Sequence, residues 1–184
     1  MLILASQSPR RFEILRQAGI PFITRPADVD ESVHAGEQAP DYVRRVAQQK
    51  ALAVECGPEN IVLGADTVVV IDGVILGKPK DPADSVRMLE LLSGRKHDVI
   101  TGICLRRGSE LVSDWAMTMV WLIPLSHDEI SEYVASGEPM DKAGGYAIQG
   151  LASKFIERID GSYANVVGLP IELVYRHLRE WGYR

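Results

Sequence analysis

Apolar positions along the chain follow two periods. Residues 2–5 form an unbroken apolar run and residues 61–71 a longer, β-branched one, which predicts buried strands. A further strand is expected over 22–25. Asp72-Gly73 then reads as a two-residue hairpin turn leading into a strand over 74–77. Residues 99–106 and 111–123 read as two strands joined around Gly108, with a short one near 155–159. Between these runs the spacing becomes helical. Ser8-Pro9 supplies an N-cap and first residue for a helix ending near Gly19. From Pro40 to about Cys56, Val43, Val46, Ala47 and Val54 share one face. Asp81-Pro82 opens a helix that stops at Ser93-Gly94, and Ser126 with Glu129 makes a capping box for one ending at Gly137. A glycine-rich loop covers 141–150, and a helix from Pro170 turns Ile171, Val174, Leu178 and Trp181 inward. Strands interleaved with helices, plus two hairpins, predict an α/β fold with a mixed sheet.

Composition narrows the class. The chain has 184 residues, 46% hydrophobic and 24% charged, with a net charge of -5. This is one domain, or two small lobes sharing a core, and not a collagen-like, disordered or disulfide-scaffold chain. Cys56 and Cys104 have no metal-binding spacing and fit a reduced compartment. Asp66 and Asp72 interrupt the longest apolar stretch, and no basic region precedes Met-Leu-Ile-Leu-Ala, so neither a membrane span nor a signal peptide is expected. The expectation is a cytoplasmic protein with no membrane partner. An acidic total also argues against nonspecific nucleic-acid binding, while leaving room for a small polyanion held by local Arg and Lys.

Three charged sites stand where the pattern does not ask for charge. Arg10 and Arg11 fall in the first turn of the first helix, where the macrodipole disfavours each cation by about 0.3–1 kcal/mol. A phosphate group bound by both guanidinium forks accounts for the pair, and so does plain solvation. Lys50 lies four residues after Val46, on the apolar stripe. It either snorkels from the edge of the core or, if buried, needs an anion. Asp66 sets a carboxylate inside a β-branched run that continues to Ile71. A buried carboxylate must be paired, hydrogen-bonded, metal-bound or protonated. Ordinary aspartate is a weak general base at neutral pH, so holding a metal that acidifies water is the easier chemistry. With Asp72-Gly73 as the turn, Lys78 faces Thr67; a bulge at Gly77 brings Lys78 to Asp66 instead, and both registers fit the sequence. No Walker A loop, dinucleotide fingerprint, Gly-x-Ser-x-Gly elbow or His-Glu-x-x-His helix occurs, which counts against serine-hydrolase and zinc-protease chemistry.

Several motifs occur together, in order, from residue 3 to the C-terminus: Ser6-Gln7-Ser8-Pro9-Arg10-Arg11, Gly64-Ala65-Asp66-Thr67-Val68-Val69 and Gly77-Lys78-Pro79. Ser93-Gly94-Arg95 with His97 and Thr101-Gly102 follows, then Asp141-Lys142-Ala143-Gly144-Gly145-Tyr146, then Gly161-Ser162-Tyr163 with Asn165-Val166-Val167-Gly168-Leu169-Pro170. The set resembles the Maf family of nucleoside triphosphate pyrophosphatases, historically linked to inhibition of septum formation. The resemblance implies a single Maf-like domain over 1–184: an elongated mixed β-sheet flanked by helices, with two lobes around a cleft, akin to inosine triphosphate pyrophosphatases. Homodimers are common in the family. It also implies hydrolysis between the α and β phosphates with Mg²⁺ or Mn²⁺. Asp66, Lys78 and Lys50 map onto catalytic positions, Ser8, Arg10, Arg11, Thr67 and Gln149 onto substrate-binding ones, and Glu31 with Asp66 onto metal ligands. Asp141 maps onto a further acidic position.

Within the family, Arg10, Thr67 and Gln149 match a branch favouring dTTP and UTP. The branch favouring 7-methylguanosine triphosphate carries Trp, Gln and Glu there. The Gln149 amide offers one donor and one acceptor to a pyrimidine edge, and a flipped amide would suit cytosine too. Two alternatives stand beside the dTTP/UTP reading: the 7-methylguanosine branch, and a non-catalytic nucleotide-binding regulator of septum formation.

Overall fold

A computed structural model of the protein describes residues 1–183. Among them the elements run β1 (Leu2–Leu4), α1 (Pro9–Gln17), β2 (Phe22–Thr24), α2 (Ala39–Ala53), β3 (Ile61–Ile71), β4 (Val74–Leu76) and α3 (Pro82–Leu92). They continue with β5 (Lys96–Arg107), β6 (Glu110–Leu122), α4 (His127–Ala135), β7 (Ile156–Asp160), α5 (Tyr163–Val167) and α6 (Ile171–Glu180). The sheet order is β2-β1-β3-β5-β6-β7, with β4 paired to β3. β1 is parallel to both β2 and β3, while β4 and β7 are antiparallel to β3 and β6. The sheet is therefore mixed, as the alternation predicted. No helix among the described residues is long and apolar enough to cross a membrane.

The chain divides into two compact units. One comprises Met1–Asp66, Thr101–Ala116 and the chain from Gly168 onward; the other comprises Thr67–Ile100 and Met117–Val167. In the first, Ile3, Ala5, Val62 and Cys104 pack against Ala47 and Ala51 at the buried face of α2 and against Val54 just after it. The helix lies directly on the strand at Gly64, where a Cβ would stand 2.0 Å from the Ala47 carbonyl oxygen. No side chain fits between these backbones, and that contact fixes the height of α2 over β3. In the second unit, Val69, Leu76, Met88, Leu89, Leu92, Val99, Val120, Tyr133, Tyr146 and Phe155 form the core.

Local signals placed most boundaries. Ser8 caps α1, Asp81 caps α3, and Ser126 with Glu129 forms the capping box of α4. Asp72 and Gly73 have φ of 51° and 77°, the paired positive values of a type I′ turn. The hairpin starts in the expected register, Ile71 opposite Val74, but its ladder ends at Val69–Leu76. The Gly77 carbonyl accepts the Gly144 N–H instead of a β3 partner. The ladder therefore pairs Lys78 with neither Thr67 nor Asp66.

Two helical features differ from expectation. α6 buries Leu173, Val174, His177 and Leu178, leaving Ile171 and Trp181 half-buried, and His177 finds carboxylate partners in Asp114 and Glu180. α5 was not expected, since five residues are too few to show a helical period. Ser162 starts it by accepting the Asn165 N–H, and the Asn165 side chain donates to the Val99 carbonyl and to Thr118 Oγ1.

Candidate active site

The first unit gathers four charges. Lys50 and Asp66 are only 7% and 6% exposed, and Lys50 Nζ donates to Asp66 Oδ1 at 2.8 Å. The same ammonium forms an ion pair with Glu31 Oε1 at 2.6 Å. Lys50 is thus buried with its anions, and the snorkelling alternative does not hold. Tyr42, Val46 and Lys50 stand at i, i+4 and i+8 on α2 and share one row. The Tyr42 hydroxyl donates to the Glu31 carbonyl at 2.8 Å, tying the Glu31 loop to the helix that carries Lys50. Burial, with Asp66 and Glu31 nearby, pushes the Tyr42 phenol up, so it remains a donor. Arg45 fastens the loop further along. It donates to the Ser32 carbonyl at 2.8 Å and to both Glu37 oxygens, and its hydrogen bonding holds the Glu37 carboxyl down at about 2.

Arg11 is the fourth charge. Its guanidinium is buried rather than solvated: Nε donates to the Gly168 carbonyl at 2.8 Å, and Nη1 donates to the Ala65 carbonyl at 2.9 Å and to Ser6 Oγ at 3.3 Å. Burial lowers its pKa and Asp66 opposes that, and arginine keeps its proton regardless. Arg11 therefore clamps the peptide that carries Asp66 and places a fixed positive charge beside it. Ser8 Oγ accepts the Arg11 N–H at 3.4 Å as the helix cap, and Arg10 is half-buried one residue before.

Among the described residues no three His, Cys, Asp or Glu side chains gather as a metal cage. Glu31 and Asp66 are two oxygen donors brought to one ammonium. That donor set fits Mg²⁺ or Mn²⁺ in the mode where one or two carboxylates are joined by waters and substrate phosphates.

Lys78, Thr67, Asp141 and Gln149 belong to the second unit. Lys78 is exposed after β4, Thr67 is half-buried in β3, Asp141 is exposed and paired with Lys142, and Gln149 is exposed in the loop after Tyr146. His97, 2% exposed, shares a 2.6 Å hydrogen bond with the Tyr146 hydroxyl. Burial pushes the imidazole down to about 4 and the phenol up, so both are neutral at pH 7. Sequence reasoning missed Tyr42, Arg45, Ser6 and the Gly168 carbonyl. Tyr42 left a signal in its place on the Lys50 row, and Ser6 and Gly168 lie inside the quoted motifs; which partners Arg45, Ser6 and the Gly168 carbonyl take is not recorded in residue order.

The Maf-like protein family model matches residues 1–181. A dTTP/UTP pyrophosphatase of Anaeromyxobacter sp. (strain Fw109-5) is 52% identical, covering 99% of this chain and 90% of its own. One from Symbiobacterium thermophilum is 53% identical, covering 99% and 94%. Among solved structures, the Ham1 protein of Staphylococcus aureus superposes with a TM-score of 0.55 at 13% identity, covering 97% of this chain and 98% of its own. A Ham1 protein from Coxiella burnetii gives 0.53 at 18% identity with the same coverage, 97% and 98%. At such identities these two likenesses speak for the fold alone.

Proposed function

The chain belongs to the Maf-like protein family, and on that premise we propose that it hydrolyses dTTP and UTP to the monophosphate and pyrophosphate, using a divalent metal ion. The observation that carries the reading is the meeting of Arg11, Lys50, Asp66 and Glu31 around a buried carboxylate. Water attacks the α-phosphorus, the bond to the bridging oxygen breaks, and the electron pair leaves with pyrophosphate. Asp66 takes the proton that the water loses. Lys50 fixes one Asp66 oxygen and Arg11 the preceding peptide, so the carboxylate is oriented before substrate arrives. Charge growing on the leaving group calls for cations placed in advance, and the N-terminus of α1 with Arg10 and Arg11 offers them. Family resemblance adds Lys78 to that set. Glu31 and Asp66 would hold the metal, which when bound supplies an acidified water and neutralises phosphate charge.

Gln149, with Thr67 and Arg10, carries the proposed choice of base. Thymine and uracil differ by one methyl, worth about 1–3 kcal/mol in a pocket, so both are accepted. A single Maf-like domain acting as a cytoplasmic homodimer belongs to the same proposal, and light scattering checks the dimer.

The test is a product assay with Mg²⁺ or Mn²⁺ across dTTP, UTP, CTP and 7-methylguanosine triphosphate, with a chelator control. Pyrophosphate and monophosphate are expected from dTTP and UTP. Orthophosphate as the first product, or full turnover in chelator, overturns the reaction. Tight binding without turnover would favour the non-catalytic regulator.

A further inference from the structure

The loop that carries Gln149 is fastened at both ends by two side chains that no motif assigned. Gly150 N–H donates to the Ala147 carbonyl at 3.2 Å, closing a tight turn with Gln149 at its third position. On the Ala147 side, the backbone N–H donates to the Tyr133 hydroxyl at 3.3 Å. On the Leu151 side, the backbone N–H donates to Glu138 Oε2 at 3.0 Å. Tyr133 and Glu138 are joined in turn, the hydroxyl donating to Oε1 at 2.8 Å. The hydroxyl thus uses its proton on the carboxylate and a lone pair on the turn, and the carboxylate uses one oxygen on each.

Both anchors are themselves held. Tyr133 is buried on α4 with its ring edge-on to Phe155, centroids 5.8 Å apart. Glu138 opens a short 3₁₀ turn, and its backbone carbonyl accepts Lys142 Nζ at 3.1 Å. The carboxylate lies flat against Gly150, where a Cβ would stand 2.4 Å from each of its oxygens. Gly150 has a negative φ of -106°, so its backbone conformation is open to other residues. What requires a glycine there is the Glu138 carboxylate.

We propose that Tyr133 and Glu138 are positioning residues for base recognition, holding the Ala147–Gly150 turn so that the Gln149 amide is presented from one backbone geometry. This rests on the reading that Gln149 meets the base. An amide on a wandering turn cannot discriminate between a uracil and a cytosine edge, because the two edges differ by exchange of donor and acceptor. A fixed backbone limits which way the amide reaches.

The test uses the full chain with dTTP, UTP and CTP, comparing wild type with Glu138→Gln, Tyr133→Phe, Gly150→Ala and Gln149→Ala. Glu138→Gln keeps size and one oxygen, and Tyr133→Phe keeps the ring, so both should fold. Each should raise KM for dTTP by about tenfold, leave kcat within about twofold, and shrink the dTTP-over-CTP preference. Gly150→Ala should do the same by pressing on the carboxylate. Combining it with Glu138→Ala should be no worse than Glu138→Ala alone, since the obstructing group is gone. A merely structural role would lower the active fraction and cut kcat equally for all three substrates, leaving the preference intact. That result, with Gln149→Ala still erasing the preference, overturns the positioning role and leaves the base reading standing. A Gln149→Ala variant with wild-type preference overturns both.

Discussion

Lys50 Nζ and Asp66 Oδ1 are 2.8 Å apart, two nearly buried charges from a helix and a strand, and Glu31 pairs with the same ammonium. The pair explains why a lysine is tolerated on an apolar stripe and a carboxylate in an apolar strand. Each would be costly alone.

Asp66→Asn keeps an oxygen for Lys50 but removes the charge, the proton acceptor and a metal donor. Turnover should fall by much more than tenfold, the equivalent of about 1.4 kcal/mol, while the fold survives on the remaining Lys50–Glu31 pair. Steady-state rates beside a thermal melt check this. A variant keeping a tenth of wild-type activity would remove Asp66 from the chemistry.

Lys50→Met leaves Asp66 buried beside Glu31 with the shared cation gone. Breaking a buried pair this way typically costs about 3–5 kcal/mol, whereas replacing both partners with apolar residues is often neutral. Urea unfolding should therefore show Lys50→Met strongly destabilised and Lys50→Met with Asp66→Leu largely recovered, both inactive. Equal destabilisation of single and double variants would argue against the pair as the cause.

The His97 imidazole is pushed down to about 4 by burial from an ordinary 6.5. The unfolded chain therefore binds a proton that the folded one refuses. This contribution is fully present above about pH 6.5 and is lost as pH falls towards 4, about 3 kcal/mol across the window. His97→Gln keeps a partner for the Tyr146 hydroxyl but does not titrate. Unfolding free energies at about pH 7 and about pH 4.5 should fall less in the variant, and equal slopes would show that another group carries the effect.

Gly64→Ala places a methyl where the Ala47 carbonyl already stands. Overpacking typically costs about 1–3 kcal/mol, and relief here requires α2 to lift and carry Lys50 with it. Both stability and kcat should drop. Lost stability with normal kcat would mean that the Lys50–Asp66 geometry tolerates a displaced helix.

Gln149→Glu removes the amide donor and adds charge, so dTTP and UTP turnover should fall. A competition assay against 7-methylguanosine triphosphate checks the direction, and unchanged pyrimidine preference would take Gln149 out of base recognition.

Elements set by neighbours in sequence were legible in the chain alone. Caps at Ser8, Asp81 and Ser126, the positive-φ turn at Asp72-Gly73 and the β-branched run of β3 each depend on a few adjacent residues. Lys50 and Asp66 were legible as charges inside an apolar pattern, and Arg11 as a cation at a helix N-terminus, where the macrodipole disfavours it. Tertiary structure alone decided what meets each: the carboxylates of Glu31 and Asp66 for Lys50, and for Arg11 the carbonyls of Ala65 and Gly168, which accept its hydrogen bonds and leave its charge in place. It also decided that the β4 ladder stops before Lys78, because the Gly77 carbonyl turns to Gly144. Such pairings depend on how closely α2 settles on β3 at Gly64 and on where distant loops return. Hydrogen bonds and ion pairs act over a few ångströms of space, whatever the separation along the chain, so residue order records the need for a partner without recording which one arrives.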